Sequence, residues 1–352
     1  MIKTTLLTPF SWLYGAVINT RRSLFEKGVF ASFDLGVKTI SVGNITVGGT
    51  GKTPLVAFIA QFLSEKGEKV CILTRGYGRD NPKQRVLVSD GEKILADAKD
   101  SGDEPFELAN KLLGKAIIIA DAKRAEAGKW AREEFGVTTF ILDDGFQHLR
   151  IKRSLDIVLL DATNPFGNGK LLPKGILREP IESLKRADAV VITRANLVKK
   201  CFHRLRKKVL QIKLKFAKFF VSKNQFSRLI NLKDFLLPAQ INTTSNIKNL
   251  NSLAFCGLGN PDNFFIQLRQ EKFNLAHCRT FPDHHIYRQN EIQKLERDAI
   301  KKGAEVLLTT AKDAVKLTHL KFNLPCFVVE NGLTFDDESA FINLIQNPKS
   351  KS

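Results

Sequence analysis

Ser41-Val-Gly-Asn-Ile-Thr-Val-Gly-Gly-Thr-Gly-Lys-Thr-Pro54 decides the fold. It follows an apolar run, Val37 to Ile45, that alternates like a buried strand, and it opens Pro54-Leu-Val-Ala-Phe-Ile-Ala-Gln-Phe-Leu63, whose apolar residues recur at helical spacing. Pro54 falls in the first turn of that helix, where its missing N–H costs nothing. Strand, glycines, Gly-Lys-Thr and helix in this order describe a phosphate cradle. Gly48, Gly49, Thr50 and Gly51 turn backbone N–H groups toward an anion, Lys52 reaches the outer phosphates, and Thr53 offers a hydroxyl to Mg2+. The usual pattern has one more glycine at position 46, where this chain has Thr46.

Working outward, strand and helix patterns alternate on the carboxyl side of the cradle, as in βαβ units, and predict a mostly parallel sheet. Lys69–Thr74 reads as a strand running into Arg75-Gly-Tyr-Gly-Arg79, a loop suited to a phosphate or a sugar. Arg85–Ser89 is a further strand. Ser101-Gly-Asp-Glu-Pro105 heads a helix with two adjacent acids, Asp103 and Glu104, which on the residues alone also fit favourable first-turn charges. Strand, helix and strand follow over Lys115–Ala120, Lys123–Phe135 and Thr138–Leu142. The last ends in Asp143-Asp-Gly-Phe-Gln-His148, and acids at a strand's end beyond a phosphate cradle are where a second Mg2+-holding group belongs. Leu155–Leu160 and Ala189–Thr193 are strands. The Gly- and Pro-rich loop between them, Asn164–Pro180, carries Lys170, Lys174 and Arg178 where they can meet an anion.

The chain has 352 residues, enough for two domains, with 43% apolar and 26% charged residues, which excludes global disorder. Its formal charge of +19 implies an anionic partner: nucleic acid, an acidic membrane surface or a phosphorylated substrate. Cys71, Cys201, Cys256, Cys278 and Cys326 form no CxxC pair, which points to a reducing compartment without a disulfide framework.

The amino-terminal segment, residues 1–30, places Ile2, Leu6, Phe10, Leu13 and Val17 at helical spacing before Arg21, Arg22 and Lys27. It falls short of the roughly 20 apolar residues that a spanning helix needs. Three readings stay open: an amphipathic helix on a membrane or a greasy substrate, a helix packed on the protein's own core, and a cleaved signal. From Arg194 to Lys233 the chain carries basic residues and phenylalanines without one acid, a connector suited to an anionic bilayer or to RNA. Val209 to Phe220 alternates apolar and basic residues as an amphipathic strand or hairpin would, and the connector is placed at residues 206–235. Beyond a polar stretch, Ile241–Asn251, a smaller α/β unit restarts at Leu253 and includes Phe281-Pro-Asp-His-His-Ile-Tyr287, in which one histidine fits a base or an orienting group. Strands at Glu305–Thr310 and Pro325–Glu330 complete it. The expected organisation is therefore a helix over 1–30, a phosphate-binding α/β core over 31–205, the connector over 206–235 and a carboxyl-terminal α/β unit over 236–352.

These motifs in this order resemble the tetraacyldisaccharide 4'-kinases of lipid A synthesis: Val42 to Pro54, Thr74-Arg-Gly-Tyr-Gly-Arg79, Gly102-Asp-Glu-Pro105, Leu142-Asp-Asp-Gly-Phe-Gln-His148, Leu172-Pro-Lys-Gly-Ile-Leu-Arg-Glu-Pro180, Phe281-Pro-Asp-His-His285 and Thr309-Thr-Ala-Lys-Asp313. That family's own loop lacks the glycine at position 46. The resemblance implies a P-loop NTPase-like sheet with helices on both faces. It also implies a peripheral kinase on the cytoplasmic face of the bacterial inner membrane, moving the γ-phosphate of ATP to the 4'-hydroxyl of a tetraacyldisaccharide 1-phosphate. It further implies Asp103 and His284 as a catalytic pair, Gly48 to Thr53 around the nucleotide, and Thr53, Glu104, Asp143 and Asp144 around Mg2+. Arg75, Tyr77, Arg124, His148, Arg178 and Glu179 fall on motifs that look like sugar and phosphate contacts. The implied partners are the lipid A precursor and an anionic membrane surface, with no nucleic acid and no obligate protein partner. A membrane-recruited partitioning or targeting ATPase would instead carry Lys near position 47, where this chain has Val47, and an RNA-binding reading leaves the phosphate loop and both acidic turns unexplained.

Overall fold

The computed structural model describes residues 7–198, 218–236, 247–283 and 285–348. Part of the basic connector, most of the polar stretch after Ile241, and His284 lie outside the described residues. Within them the chain forms one twelve-stranded sheet with helices on both faces.

The cradle strand β1 (Lys38–Asn44) lies between β5 (Thr139–Asp143) and β6 (Leu155–Asp161) and pairs with both in parallel. Beyond β5 come β2 (Val70–Thr74), β4 (Ala116–Ala120) and the antiparallel edge strand β3 (Val86–Ser89). Beyond β6 come β7 (Ala189–Thr193) and β8 (Lys218–Asn231). The period of two sorts the side chains of these strands. Ile40, Val42, Ile72, Ile118 and Ile141 point into a core capped by Leu55, Val56 and Ile59 of helix α2 (Lys52–Glu65). Cys71, Leu73, Ile117, Phe140 and Leu142 point the other way, against Ala127 and Ala131 of α5 (Arg124–Phe135). Both faces being covered explains why β1, read as alternating, is buried at every position from Thr39 to Asn44.

The sheet continues into the second half without a break. The first part of β8 pairs in parallel with β7, and Ser222–Asn231 runs antiparallel to β12 (Cys326–Phe335), so one strand serves both halves. The segment expected as a basic connector is thus, in its described part, a strand of the common sheet. Beyond β12 lie β11 (Val306–Thr310), β9 (Ser252–Cys256) and the edge strand β10 (Leu275–Thr280), all parallel. Helix α7 (Gln289–Lys301) covers one face of this half through Ile292, Leu295 and Ala299, and α6 (Asp262–Gln270) covers the other through Phe264, Phe265 and Leu268. The final helix α9 (Glu338–Gln346) returns to the first half, where Phe341 and Ile345 join the core under α2 and Phe341 stacks on Phe335 at 4.2 Å.

Helix α1 (Thr8–Glu26) lies on the loop between β6 and β7. Its contact face is small and polar: Ser11 Oγ donates to the Leu171 carbonyl (2.9 Å), Tyr14 Oη to the Arg178 carbonyl (3.0 Å) and Arg21 to the Gln147 carbonyl (3.1 Å). Phe10, Leu13 and Val17, one helical stripe, are 61%, 57% and 57% exposed, with Trp12 beside them at 76%. The helix is seated by its polar side and shows its apolar side outward. No helix among the described residues is long and apolar enough to cross a membrane.

A β-carbon added at Gly43 would sit 2.6 Å from the backbone nitrogen and Cβ of Phe146, which is why the cradle strand needs glycine there. Gly43→Ala is therefore expected to lower the unfolding free energy by about 2 kcal/mol, read as a lower urea midpoint at unchanged slope.

Candidate active site

The carboxyl ends of β1, β5 and β2 and the loops after β9 and β11 open on a single cleft of about 500 Å³. A crevice outside the carboxyl ends of parallel strands is where this sheet type binds ligands. Its floor is the cradle. Gly51, the residue before α2, takes a left-handed φ of 87°, and Gly48 one of 100°, conformations that glycine adopts without strain. The loop is held from behind. Thr193 Oγ1 donates to the Thr50 carbonyl (2.8 Å), and Arg194, at the end of β7, donates to the Gly49 carbonyl (2.7 Å) while paired with Asp161.

Above the floor stand the two acids ending β5. Asp144 has a left-handed φ of 50°, which turns its carboxylate from the strand direction into the cleft. There it meets Lys52 at 3.4 Å and takes two hydrogen bonds from Arg178, at 2.8 and 3.0 Å. Burial pushes the Asp144 carboxyl up, but Lys52 and Arg178 outweigh it and hold the group well below the usual carboxylate range. Arg178 also donates to the Thr46 carbonyl (2.9 Å) and to Asn44, so one guanidinium ties together loop, strand and acid.

Asp143 is the opposite case. It is buried, accepts one bond from Thr74 Oγ1 (3.1 Å), and its Oδ1 has no partner. Burial first, then the nearby Glu104, pushes its carboxyl up to about 6. An orphaned carboxylate oxygen beside a second acid and a P-loop hydroxyl is a donor set that suits a hard divalent cation. Among the described residues no three His, Cys, Asp or Glu side chains converge to hold a metal unaided, so such an ion would take remaining ligands from phosphate and water.

The far wall comes from the second half. Lys312, in the short helix α8 (Ala311–Ala314), reaches Asp283 at 3.0 Å and Glu104 at 4.0 Å. Burial lowers its ammonium, but Glu104 and Asp283 outweigh that and raise it. Glu104 and Asp103 open helix α4 (Asp103–Lys111), and Asp103 Oδ2 lies 3.1 Å from the buried Lys316 ammonium. Glu107, one turn on, also lines the cleft, and burial pushes its carboxyl up to about 7.

Of the residues singled out from sequence, Gly48–Thr53, Glu104, Asp143, Asp144, Arg75, Tyr77 and Arg178 line the cleft. Arg75 and Tyr77 stack on one another at its rim, with 5.3 Å from guanidinium carbon to ring centre. Asp103, Arg124, His148 and Glu179 are not among its lining residues. The Arg124 guanidinium is buried and donates to the Asp143 and Asp144 carbonyls, and Glu179 is buried against Arg186 (2.7 Å) and Gln147 (3.0 Å). Lys170 and Lys174 do not line it either; Lys174 donates to Thr8 of α1 (2.7 Å). Arg194, Glu107 and Lys312 line the cleft without having been read from sequence. Arg194 was hidden as the first member of a basic run, and Lys312 sits in the quoted Thr-Thr-Ala-Lys-Asp motif, for which spacing alone offers no role.

A phosphate cradle, paired acids at a neighbouring strand end and a facing wall in which Lys312 bridges Asp283 and Glu104 define a P-loop phosphotransferase. The profile of the family described as tetraacyldisaccharide-1-P 4'-kinase matches residues 3–349. Curated relatives of that name include one from Syntrophotalea carbinolica, 35% identical over 94% of this chain and 87% of its own, and one from Pelobacter propionicus, 38% identical over 90% and 84%. The crystal structure of LpxK from Aquifex aeolicus in complex with ATP superposes with a TM-score of 0.77 at 32% identity, covering 99% of both chains. The chain belongs to the tetraacyldisaccharide 4'-kinase family: it is an ATP-dependent kinase of lipid A biosynthesis.

His148 offers a check on the region behind the acids. Burial, then Arg124 and Arg153, pushes its imidazole down to about 3, so it is neutral in the folded protein and takes up a proton on unfolding. The stability it protects is whole above its unfolded value near 6.5 and is lost as pH falls toward 3. His148→Gln should reduce the slope of unfolding free energy against pH near pH 5 by roughly 1 kcal/mol per pH unit, measured by urea titration.

Proposed function

We propose that the cleft divides the kinase reaction between the two halves of the chain as follows. The amides of Gly48–Gly51 and the Lys52 ammonium hold the outer phosphates of ATP, cancelling charge that builds on the transferred group. To do so Lys52 exchanges its present partner, Asp144, for phosphate. Thr53, Asp143, Asp144 and Glu104 would hold Mg2+, which when bound neutralises phosphate charge. The orphaned Asp143 oxygen supports this assignment.

The acceptor is the 4'-hydroxyl of a tetraacyldisaccharide 1-phosphate, and the product is lipid IVA. Asp103 and His284 form the pair that takes the hydroxyl proton as the oxygen attacks phosphorus, a carboxylate–imidazole pair being suited to proton transfer near neutral pH. The observation that carries the two-half reading is the Lys312 bridge, which puts the Asp283 segment of the second half against Glu104, next to Asp103, of the first. Arg75 and Tyr77 at the rim, and Arg178 within, serve the sugar and its phosphate. Arg124, His148 and Glu179 act through them by fixing the backbone after β5 and the loop before β7.

Helix α1 carries the membrane contact. Four large apolar side chains on one outward face find little stabilisation in water, and the anionic leaflet that holds the substrate gives them an apolar phase. Its polar face, bonded to the carbonyls of Leu171 and Arg178, keeps the cleft close to that surface. The site thus works as a peripheral kinase on the cytoplasmic side of the inner membrane.

Incubation with γ-labelled ATP and tetraacyldisaccharide 1-phosphate should put label into the lipid. Asp103→Asn should reduce kcat by about 100-fold or more with little change in KM for ATP; an unchanged kcat would exclude Asp103 from the proton-accepting pair. Replacing Phe10, Leu13 and Val17 together by Ser should release the protein from vesicles containing anionic lipid while ATP binding stays within about 2-fold, since each apolar side chain contributes roughly 1.5–3 kcal/mol on burial. Full retention on vesicles would overturn the assignment of α1.

A further inference from the structure

The Thr309-Thr-Ala-Lys-Asp313 motif has so far contributed only Lys312. Its aspartate is fully buried and completely engaged. Both Asp313 carboxylate oxygens accept from the Gly257 N–H (3.1 Å each), Tyr287 Oη donates to Oδ1 (3.0 Å) and Thr310 Oγ1 to Oδ2 (2.7 Å). This one side chain therefore binds the loop after β9, the start of α8 and the residue that ends the Phe281–Tyr287 segment. The segment carrying Asp283 and the turn carrying Lys312 and Lys316 form one rigid block.

From that block Lys316 projects onto the first half. It is 9% exposed, and its ammonium stands 3.1 Å from Asp103 Oδ2. A buried ammonium needs a counter-charge, and Asp103 supplies it across the join between the halves. The same contact acts on Asp103. The charge pair draws Oδ2 toward the ammonium and so biases the orientation of the carboxylate. A proton acceptor must be held within a few tenths of an ångström of the hydroxyl it serves, and small displacements of such groups cost large factors in rate.

We propose that Lys316 is a positioning residue for the reaction: its ammonium fixes the Asp103 carboxylate in register with the Asp283 segment, so that the proton-accepting pair is aligned whenever the halves meet. Lys312 makes the parallel contact one turn earlier, on Glu104. Lys316 thus pairs with Asp103 at 3.1 Å, while Lys312, bound to Asp283 at 3.0 Å, reaches Glu104 at 4.0 Å. Lys316 touches neither ATP nor the acceptor in this role. The inference rests on Asp103 belonging to the proton-accepting pair.

The test is a double-mutant cycle on the full chain, with kcat and KM measured for Lys316→Met, Lys316→Arg, Asp103→Asn and the combination of Lys316→Met with Asp103→Asn. Lys316→Met should lower kcat about 30-fold while KM for ATP stays within about 2-fold, a split that a general loss of structure would not produce. Lys316→Arg, which keeps the charge, should recover most of that loss. Once Asp103 is Asn, Lys316→Met should change kcat by less than about 3-fold, because residues acting as a unit are not additive. Should Lys316→Met fail to bind a fluorescent ATP analogue, Lys316→Gln takes its place in the cycle. A full multiplicative loss in the double variant, or a kcat within about 3-fold of wild type for the single one, would overturn the proposal and leave the role of Asp103 standing. An unchanged kcat in Asp103→Asn alone would instead overturn the proton-accepting pair itself.

Discussion

One carboxylate, Asp144, organises the cleft. Held at a left-handed φ at the end of β5, it gathers the P-loop ammonium and the Arg178 guanidinium into a space of a few ångströms. Without that negative charge, two cations would face one another in a partly buried site, and Arg178 would hold the loop from Asn164 to Pro180 to the cradle only through the Thr46 carbonyl and Asn44. Asp143, one residue earlier, is buried yet also lines the cleft, and its Oδ1 has no partner. The left-handed turn at Asp144 gives the adjacent acids different surroundings, Asp144 between Lys52 and Arg178 and Asp143 beside Thr74 and Glu104.

The first half of this arrangement was legible because each part has a local signature. Glycines at Gly48 and Gly51 are demanded by positive φ, the strand patterns by burial, and the acids by their place after an apolar run. The alternation of strand and helix led correctly to a mostly parallel sheet. What escaped was non-local. Glu179 and Arg124 fall on motifs that the resemblance links to sugar and phosphate contacts; their partners in the fold, Arg186 and Gln147 for Glu179 and the carbonyls of Asp143 and Asp144 for Arg124, are not visible in the sequence. Strand β10 and helices α7 and α9 were not read, although α7 carries its apolar residues at Ile292, Leu295 and Ala299, a helical spacing. The joining of the two halves into one sheet depends on β8 pairing with β12, about a hundred residues away, which no local pattern encodes.

The two halves are joined by contacts of different chemistry. Behind the cleft the join is covalent and hydrogen-bonded: β8 pairs with β7 over its first residues and with β12 over the rest. At its mouth the join is ionic, with Lys312 on Glu104 and Lys316 on Asp103. The Lys312–Glu104 contact is long and partly open to solvent, and such pairs are readily exchanged for others, whereas the buried Lys316–Asp103 pair and a strand ladder are not. The site therefore has a fixed back and an adjustable front, a division suited to admitting a nucleotide and a bulky acceptor in turn.

The return of α9 bears on how the polypeptide is made. Phe341 and Ile345 fill the interior beneath α2, so the nucleotide-binding half lacks part of its own core until α9 has been translated. With the amino-terminal segments emerging first and elongation running at roughly 5–20 residues per second, that half spends many seconds outside the ribosome with an open apolar face. A chain cut short near its end would lose no residue that lines the cleft, yet it would leave that face exposed to chaperones and proteases.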